Sequence, residues 1–599
     1  MRRLAIFVHH DQKGAVRQYI PYCLKGLKAV VDDIVFVVNG SLSVEGRSIL
    51  EQIDGVSILV RENRGFDFWG WKAGIEYYGY ERIRQLDSLL LTNNTYYGPI
   101  YPFSEMWSIM DKVKCDFWGI NRHRELDKNY IPGNNDTRFF NHIQSYWIVF
   151  RKSILQSIDF INYWKFLRLH TTYDEMLCYG EFQMTHYFEI HGYKSEVFMS
   201  TDKYSHLLYS NPCFMTDIQV IDDRCPIIKR KFFWGYKEHL IANRINYATL
   251  KLIDYLKCNK LYDIDIIFED LLSTQHLSNV HNHLYYNYIL SSDLSYEINR
   301  NTFDKKIALI MYIYPEELIE YCRKYAESIP QYATIIIVNT SSIISEKCQR
   351  IFNDLKNKIE YRIQPNRGRD NAALLVTCRD IIEEYDYICF VHAKKSEHNA
   401  AIYGQDFRDH CYISLLFNVT YVNNVISTLE NNSRLGLLIP FVPVGFAYSG
   451  LIFDKWTCNM QNAQDFLNSK MNLNISLDPN VMAPFGGMYW AKTKALKTLL
   501  QYNWQYNDFP EEPLKQSDGL LTHTIERIIP LLVQYDGYFT AHIAPECYAK
   551  TIIGDLYYWL KWYVVDINIY IKIINLFKTA CKKYKLYYTL AKLYKLLKA

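Results

Sequence analysis

The chain has 599 residues, enough for several domains. Apolar residues make up 49% and charged residues 22%, the balance of a soluble globular protein, and a net charge of +3 implies no general nucleic-acid binder. The 14 cysteines include no Cys-x-x-Cys, which argues against a zinc ribbon or a thioredoxin-type site and for free thiols in a reducing compartment.

The first ten residues, Met1 to His10, hold an apolar run too short for a signal peptide, so Leu4–Val8 reads as a first strand. Gln18 to Ala29 suits a helix, and Ile34–Val38 and Val56–Val60 are β-branched strands. This alternation predicts a parallel sheet covered by helices, with ligands at the carboxyl ends of its strands. Asn39 and the turn Asn63-Arg64-Gly65-Phe66-Asp67 fall at such ends. Gly65 lets backbone approach closely, Arg64 is placed to meet a phosphate, and Asp67 is expected to cap a helix from Phe68. A plain capped turn is the alternative. Leu89–Leu91 is a buried strand that ends at Asn93-Asn94-Thr95, with no acid to hold a divalent ion. Ser145–Phe150 is a further strand. Glu181, at a helix start, is a candidate base, or else a carboxylate answering the helix dipole.

Residues 241–304 carry apolar residues at helical spacing and are expected to form a helical connector. The turn then recurs as Asn366-Arg367-Gly368-Arg369-Asp370, 303 residues after its first copy. Val338-Asn339 repeats Val38-Asn39 at 300 residues, and Asp518 to Glu526 repeats Glu181 to Glu189 at 337. Echoes in one order, at slowly growing distances, indicate a duplicated domain: residues 1–240 and 305–550.

The second copy is richer in chemistry. His392-Ala393-Lys394-Lys395 follows a buried strand, and the two lysines are placed to neutralise a leaving diphosphate, with Arg367 and Arg369 nearby. Pro484 to Trp490, with Gly486, Gly487, Tyr489 and Trp490, brings backbone close to an acceptor. Glu511, Glu512 and Asp518 precede a helix that carries His523. From Ile567 to the end there is no acid, and lysines interleave with apolar residues. The tail, 551–599, thus reads as an amphipathic basic helix for an anionic membrane surface, or as a terminal helix with a solvated basic face. No run of about 18 apolar residues occurs, so no span is expected.

Together, N-R-G-x-D, His-Ala-Lys-Lys-Ser, Gly-Gly-Met-Tyr-Trp and Asp-Phe-Pro-Glu-Glu…Asp-Gly…Thr-His…Glu-Arg resemble the rhamnan synthesis F family. The first copy resembles it through R-G-F-D-F-W-G-W-K, L-L-L-T-N-N-T-Y-Y-G-P-I, D-F-W-G-I and H-I-Q-S-Y-W-I-V-F-R-K. The resemblance implies a cell-surface polysaccharide glycosyltransferase that moves L-rhamnose from dTDP-L-rhamnose to a lipid-linked glycan, with inversion, at the cytoplasmic face of the bacterial plasma membrane. The expected fold is α/β, two tandem GT-A-like, Rossmann-type nucleotide-sugar domains. The family's Asn-Asp-Ser is Asn93-Asn94-Thr95 here, so the first copy suits an unusual or non-catalytic role. Asp518 is the expected base, then Glu511 or Glu512, with Glu181 in the first copy. Asn39, Asn63, Arg64, Asp67, Asn93, Asn94, Asn339, Asn366, Arg367, Gly368, Arg369, Asp370, His392, Lys394 and Lys395 are expected around the donor. Gly486, Gly487, Tyr489, Trp490 and His523 are expected on the acceptor side. No metal or other cofactor is expected. Transfer of another sugar, or a non-catalytic glycan-binding scaffold, are the competing readings.

Overall fold

The computed structural model describes residues 2–125, 138–200, 212–235, 247–295, 304–393, 401–444, 456–514 and 518–561. The chain forms two units, Met1–Tyr285 and Tyr286–Ala599.

The strands of the first unit are β1 (Arg3–His9), β2 (Asp33–Asn39), β3 (Val56–Arg61), β4 (Ser88–Asn93), β5 (Tyr96–Tyr97), β6 (Phe117–Gly119), β7 (Arg122–His123), β8 (His142–Ile143), β9 (Trp147–Arg151), β10 (Ser195–Val197) and β11 (Ile228–Lys229). Seven make one sheet in the order β10-β6-β9-β4-β1-β2-β3. Every pairing in it is parallel except those of β9, which runs antiparallel to β4 and β6. β1, β2 and β4 are almost wholly buried, as unbroken apolar runs covered on both faces must be. β5 with β11, and β7 with β8, form short antiparallel ribbons.

The second unit contains β12 (Asn287–Leu290), β13 (Ile307–Tyr312), β14 (Thr334–Asn339), β15 (Ile359–Ile363), β16 (Tyr387–His392), β17 (Leu435–Pro440), β18 (Tyr489–Lys492) and β19 (Phe539–Pro545). Its sheet runs β12-β19-β17-β18-β16-β13-β14-β15. Only β18 is antiparallel to its neighbours. Apart from β12 at the edge, this is the order of the first sheet, with β18 in the place of β9.

Register makes the correspondence residue by residue. Asn94 donates its N–H to the Val8 carbonyl just past β4, and Ala393 donates to the Tyr312 carbonyl just past β16. Leu91 faces Ile148, and Phe390 faces Tyr489. Phe150 pairs with Phe117, which pairs with Ser195; Ala491 pairs with Leu437, which pairs with Thr540. Ser195 and Thr540 are therefore equivalent.

The expected connector is corrected. Its helices, Ala248–Cys258, Ile264–Thr274 and Leu277–Leu284, belong to the first unit. Fully buried Asp270 takes a bidentate pair from Arg230 at 2.8 and 2.9 Å and a hydrogen bond from Tyr97 at 2.6 Å. A buried carboxylate needs such partners, and they tie the helix to the β5–β11 ribbon. β12, from the same expected connector, is instead a strand of the second sheet. Residues 546–561 are helical; Ala549 and Ile552 pack on Ala544, while Tyr557, Tyr558 and Leu560 are exposed. The basic stretch beyond lies outside the described residues. Among the described residues, no helix is long and apolar enough to cross a membrane.

Candidate active site

The two turns share an unusual backbone. Gly65 and Phe66 have φ of 76° and 55°; Gly368 and Arg369 have 76° and 47°. Two successive left-handed residues reverse the chain from strand to helix, and glycine carries the tighter one. A Cβ at Gly65 would stand 2.4 Å from Trp69, and one at Gly368 would stand 2.6 Å from Ala372. Asp67 lies inside the helix Phe66–Tyr78 rather than capping it. Its carboxylate instead accepts from Asn93 Nδ2 at 2.8 Å. Asp370 stands likewise 3.7 Å from His392 Nε2. Each turn thus aims its aspartate at the last residue of the central strand, Asn93 or His392.

The residues expected around the donor differ in their surroundings. Asn63, Arg64 and Asn366 are exposed. Asn39 is buried, donating to the Phe66 carbonyl at 3.1 Å and accepting from Arg61 at 2.6 Å. Asn94 donates to His9 Nδ1 at 3.1 Å and to the His10 carbonyl at 3.0 Å, so its amide braces the loop. Arg367 holds the Phe509 carbonyl at 2.8 Å and reaches Glu511 at 3.5 Å; Arg369 holds Glu512 at 2.6 and 3.1 Å. Arginines expected to bind phosphate and glutamates expected to act as bases thereby satisfy one another across two adjacent loops.

In the first unit a mixed-charge cluster surrounds Asp67. The β5–β11 ribbon sets Lys229 opposite Tyr96, and its ammonium donates to Thr95 Oγ1 at 2.7 Å and lies 4.0 Å over the Tyr146 ring. Thr95 in turn donates to Asn93 Oδ1 at 2.7 Å. Glu181 accepts from the Ser145 hydroxyl, and His142 Nε2 lies 3.4 Å from its Oε1. Burial pushes the Asp67 carboxyl up to about 6, against the pull of Lys229 and Asn93 and with help from the Glu181 charge. Burial also pushes Glu181 up, but His142, Ser145 and Lys229 outweigh it and hold the group below the usual range. Burial lowers Lys229.

In the second unit His392 Nε2 donates to the Gly486 carbonyl at 2.6 Å, and the Gly486 N–H donates to Glu526 Oε2 at 2.9 Å. A Cβ on Gly487 would stand 3.0 Å from Asp370 Oδ2, which explains a glycine with φ of 70° there. Asn371, Gly487, Tyr489 and Glu526 line a narrow cleft. The Tyr489 hydroxyl is buried without a hydrogen-bond partner; burial and the Asp370 charge hold it far above its ordinary range. The Asn339 amide is also fully buried and unpartnered. Trp490 is a core residue whose Nε1 donates to the Leu415 carbonyl at 3.0 Å, not an acceptor contact.

Asp518, the expected base, is held by its own neighbours. It accepts from Thr457 Oγ1 at 2.6 Å, and from Asn459 Nδ2 and the Gly519 N–H at 2.8 Å each; His523 Nδ1 is 3.5 Å away. Burial raises the carboxyl, but Thr457, Asn459, Gly519 and Arg527 bring it down to about 2. Such a carboxylate latches a loop and accepts protons poorly. Lys394 and Lys395 lie outside the described residues.

Glu526 is the functional candidate that motif matching missed. Glu181 lies 14 residues before Ser195, and Glu526 lies 14 before its equivalent Thr540. Glu181 touches Ser145, three residues before Ile148, and Glu526 touches Gly486, three before Tyr489. The true signal was the helix end, His191-Gly192-Tyr193 against Asp536-Gly537-Tyr538, with glycine φ of 89° and 86° and tyrosine N–H groups bonded back to Phe188 and Val533. Among the described residues no group of three or more His, Cys, Asp or Glu is arranged to hold a metal ion.

A stretch of 177 residues is 28% identical to the uncharacterized protein WxcX of Xanthomonas campestris pv. campestris strain B100, covering 29% of this chain and 24% of the relative. The match spans about a quarter of the length of that curated relative. Among solved structures, the glycosyltransferase GlyE of Streptococcus pneumoniae TIGR4 matches at 12% identity over 64% of this chain and 84% of its own, with a TM-score of 0.22. A Bacillus anthracis protein described as a glucose-1-phosphate thymidylyltransferase matches at 10% identity over 33% of this chain and 86% of its own, also at 0.22. These structural likenesses are too loose to define a function. The family description of rhamnan synthesis protein F matches residues 34–538, from β2 to the start of β19, and the chain belongs to that family.

Proposed function

We propose that the protein is a polysaccharide glycosyltransferase with GT-A-like units, moving L-rhamnose from dTDP-L-rhamnose to a lipid-linked glycan at the second-unit cleft. The observation that carries this reading is the pairing of Asp370 and Glu526 across Gly486-Gly487, at the carboxyl ends of a mainly parallel sheet. Family membership supports the polysaccharide, and the family's description supports the sugar.

Glu526 has one oxygen fixed by the Gly486 N–H and is oriented to take the proton of the acceptor hydroxyl. The hydroxyl oxygen attacks the anomeric carbon while the bond from that carbon to the diphosphate oxygen breaks. The diphosphate leaves with the electron pair, and a single displacement inverts the centre. Lys394 and Lys395, next in sequence after Ala393, supply positive charge to the leaving group. His392, rather than a carboxylate, ends β16, and an imidazole engaged with the Gly486 carbonyl is a poor ligand for a hard divalent ion. The reading therefore takes the lysines in place of a metal. The basic tail brings the enzyme to the anionic inner face of the plasma membrane, where the acceptor lipid lies.

The test is product formation by the purified full chain from a panel of nucleotide sugars, with a lipid-linked acceptor and with chelator present. Rhamnosyl product of inverted configuration is expected. Transfer of a different sugar would remove the donor assignment, and no transfer from any donor would remove the reading itself.

A further inference from the structure

We infer that the first unit carries a second nucleoside-diphosphate-sugar site of its own, in which Lys229 binds the diphosphate beside Asp67 and Glu181. The ligand class rests on the reading of the second unit; the existence of the site rests on four observations of the first.

The carboxylates are the register equivalents of the second-unit pair. Asp67 holds the place of Asp370 on the same two-residue left-handed turn, and Glu181 holds the place of Glu526. All four carboxylates are half-buried, and a pair duplicated in this way is expected where both copies keep a polar ligand.

The first unit brings its cation in from a distant part of the chain. In sequence, Lys394 follows Ala393 as Thr95 follows Asn94, the register equivalent of Ala393. The first unit has a hydroxyl there, and Lys229 donates to that hydroxyl at 2.7 Å. Lys229 arrives from a strand more than 130 residues further along the chain. The ribbon that delivers it is anchored by the buried Arg230–Asp270 pair, and Arg230 also donates to the Asn94 carbonyl at 3.2 Å.

Among the described residues no salt bridge neutralises Lys229. Its ammonium meets a hydroxyl and an aromatic face, and Asp67 and Glu181 act on it only at longer range. An ammonium serving only as a packing strut would be paired directly, because taking an unpaired charge out of water is costly. A diphosphate oxygen supplies the missing partner.

The fourth observation is His142. It is 1% exposed, its Nδ1 lies 2.7 Å from the Phe140 carbonyl, which can only accept, and its Nε2 faces Glu181 at 3.4 Å without a hydrogen bond. A buried imidazole whose Nε2 has only this long contact with Glu181 leaves room for a ligand or substrate hydroxyl at the rim of the cluster.

The test is calorimetric titration of the full chain with dTDP and, separately, UDP. Two equivalents per chain are expected for one of them, and Lys229→Met should leave one. Lys229→Arg should retain two, with the weaker site loosened. Thr95→Val, which removes only the hydroxyl holding the ammonium, gives the same readout if Lys229→Met fails to fold, with the first-unit site weakened about tenfold. One equivalent lost in Lys229→Met would sustain this site and remove the second-unit reading. One or two equivalents untouched by Lys229→Met and Thr95→Val, or no binding of either nucleotide, would overturn it.

Discussion

Glu181 in the first unit and Glu526 in the second occupy one and the same place, each hydrogen-bonded to the residue three positions before the equivalent antiparallel-strand residue. Asp518, the neighbour singled out by motif, is already held by three donors.

The first prediction separates these two carboxylates. Glu526→Gln should lower kcat by about 10²–10⁴-fold with donor binding nearly intact, as loss of a positioned base does. Asp518→Asn should instead lower the melting temperature, with kcat reduced by less than about tenfold, because it loosens a latch. Steady-state kinetics beside calorimetric melting distinguish them. The reverse ranking on kcat would return the base role to Asp518.

A second prediction concerns Arg369 and Glu512. Their pair is bidentate, but the Arg369 side chain is 51% exposed. A double-mutant cycle to alanine should give a coupling of about 0.2–1 kcal/mol. Arg369→Ala should weaken dTDP binding by no more than about threefold, well under the tenfold that 1.4 kcal/mol represents. A tenfold or greater loss with Arg369→Ala, absent in Glu512→Ala, would mean the guanidinium leaves its glutamate for phosphate.

The third prediction tests whether the helices after residue 247 belong to the first unit. Asp270→Ala leaves Arg230 buried without its carboxylate and should cost about 3–5 kcal/mol in denaturant unfolding of that unit. Cleavage within β5 or β11 by limited proteolysis should rise in parallel. A loss below about 1 kcal/mol would mean that the pair does not hold the ribbon.

These positions also show what the sequence could carry. The duplicated sheet was legible because buried parallel strands demand unbroken apolar runs, and because a left-handed turn demands Gly65 and Gly368 in a fixed frame with Asp67 and Asp370. The helix match failed for a physical reason. Thr185-His186 and Thr522-His523 coincide by composition on two helices, whereas glycine-capped ends at Gly192 and Gly537 mark the frame by geometry. Lys229 was not legible at all, since only a two-residue ribbon brings it to Thr95. The pairing of Arg367 and Arg369 with Glu511 and Glu512 is equally non-local, and no local pattern distinguishes an arginine awaiting phosphate from one already paired.

The fourth prediction concerns the tail. The helix through residue 561 is anchored by Ala549 and Ile552 and exposes Tyr557, Tyr558 and Leu560. Truncation after residue 561 should leave the core folded while releasing the protein from vesicles of anionic phospholipid. Each lysine near such a surface contributes on the order of 1 kcal/mol, so binding by the full chain should fall steeply with salt. Equal, salt-insensitive binding by the truncated chain would refute the membrane role.

The last prediction uses pH. The ordinary value of the Asp67 carboxyl is 3.8, and burial pushes it up to about 6 in the fold. Well below pH 3.8 the group is protonated in both the folded and unfolded chain, so its full contribution is present. Between about 4 and 6 the unfolded chain ionises first, and folding must take up a proton. Stability from this group therefore falls as pH rises through the folded value and levels off above it. A shift of about two units corresponds to about 3 kcal/mol. Glu181 runs the opposite way: its value is held below the usual range, so its contribution is present at neutral pH and lost on acidification. Subtracting the unfolding free energy of Asp67→Asn from that of the native chain at each pH largely removes the Glu181 part and isolates Asp67. The difference should decline by about 2–2.5 kcal/mol from pH 4 to pH 7, in denaturant titrations at constant ionic strength. A flat difference would mean that Lys229 and Asn93 already offset the burial of the ionised form, and a rising one would place the Asp67 carboxyl below its ordinary value.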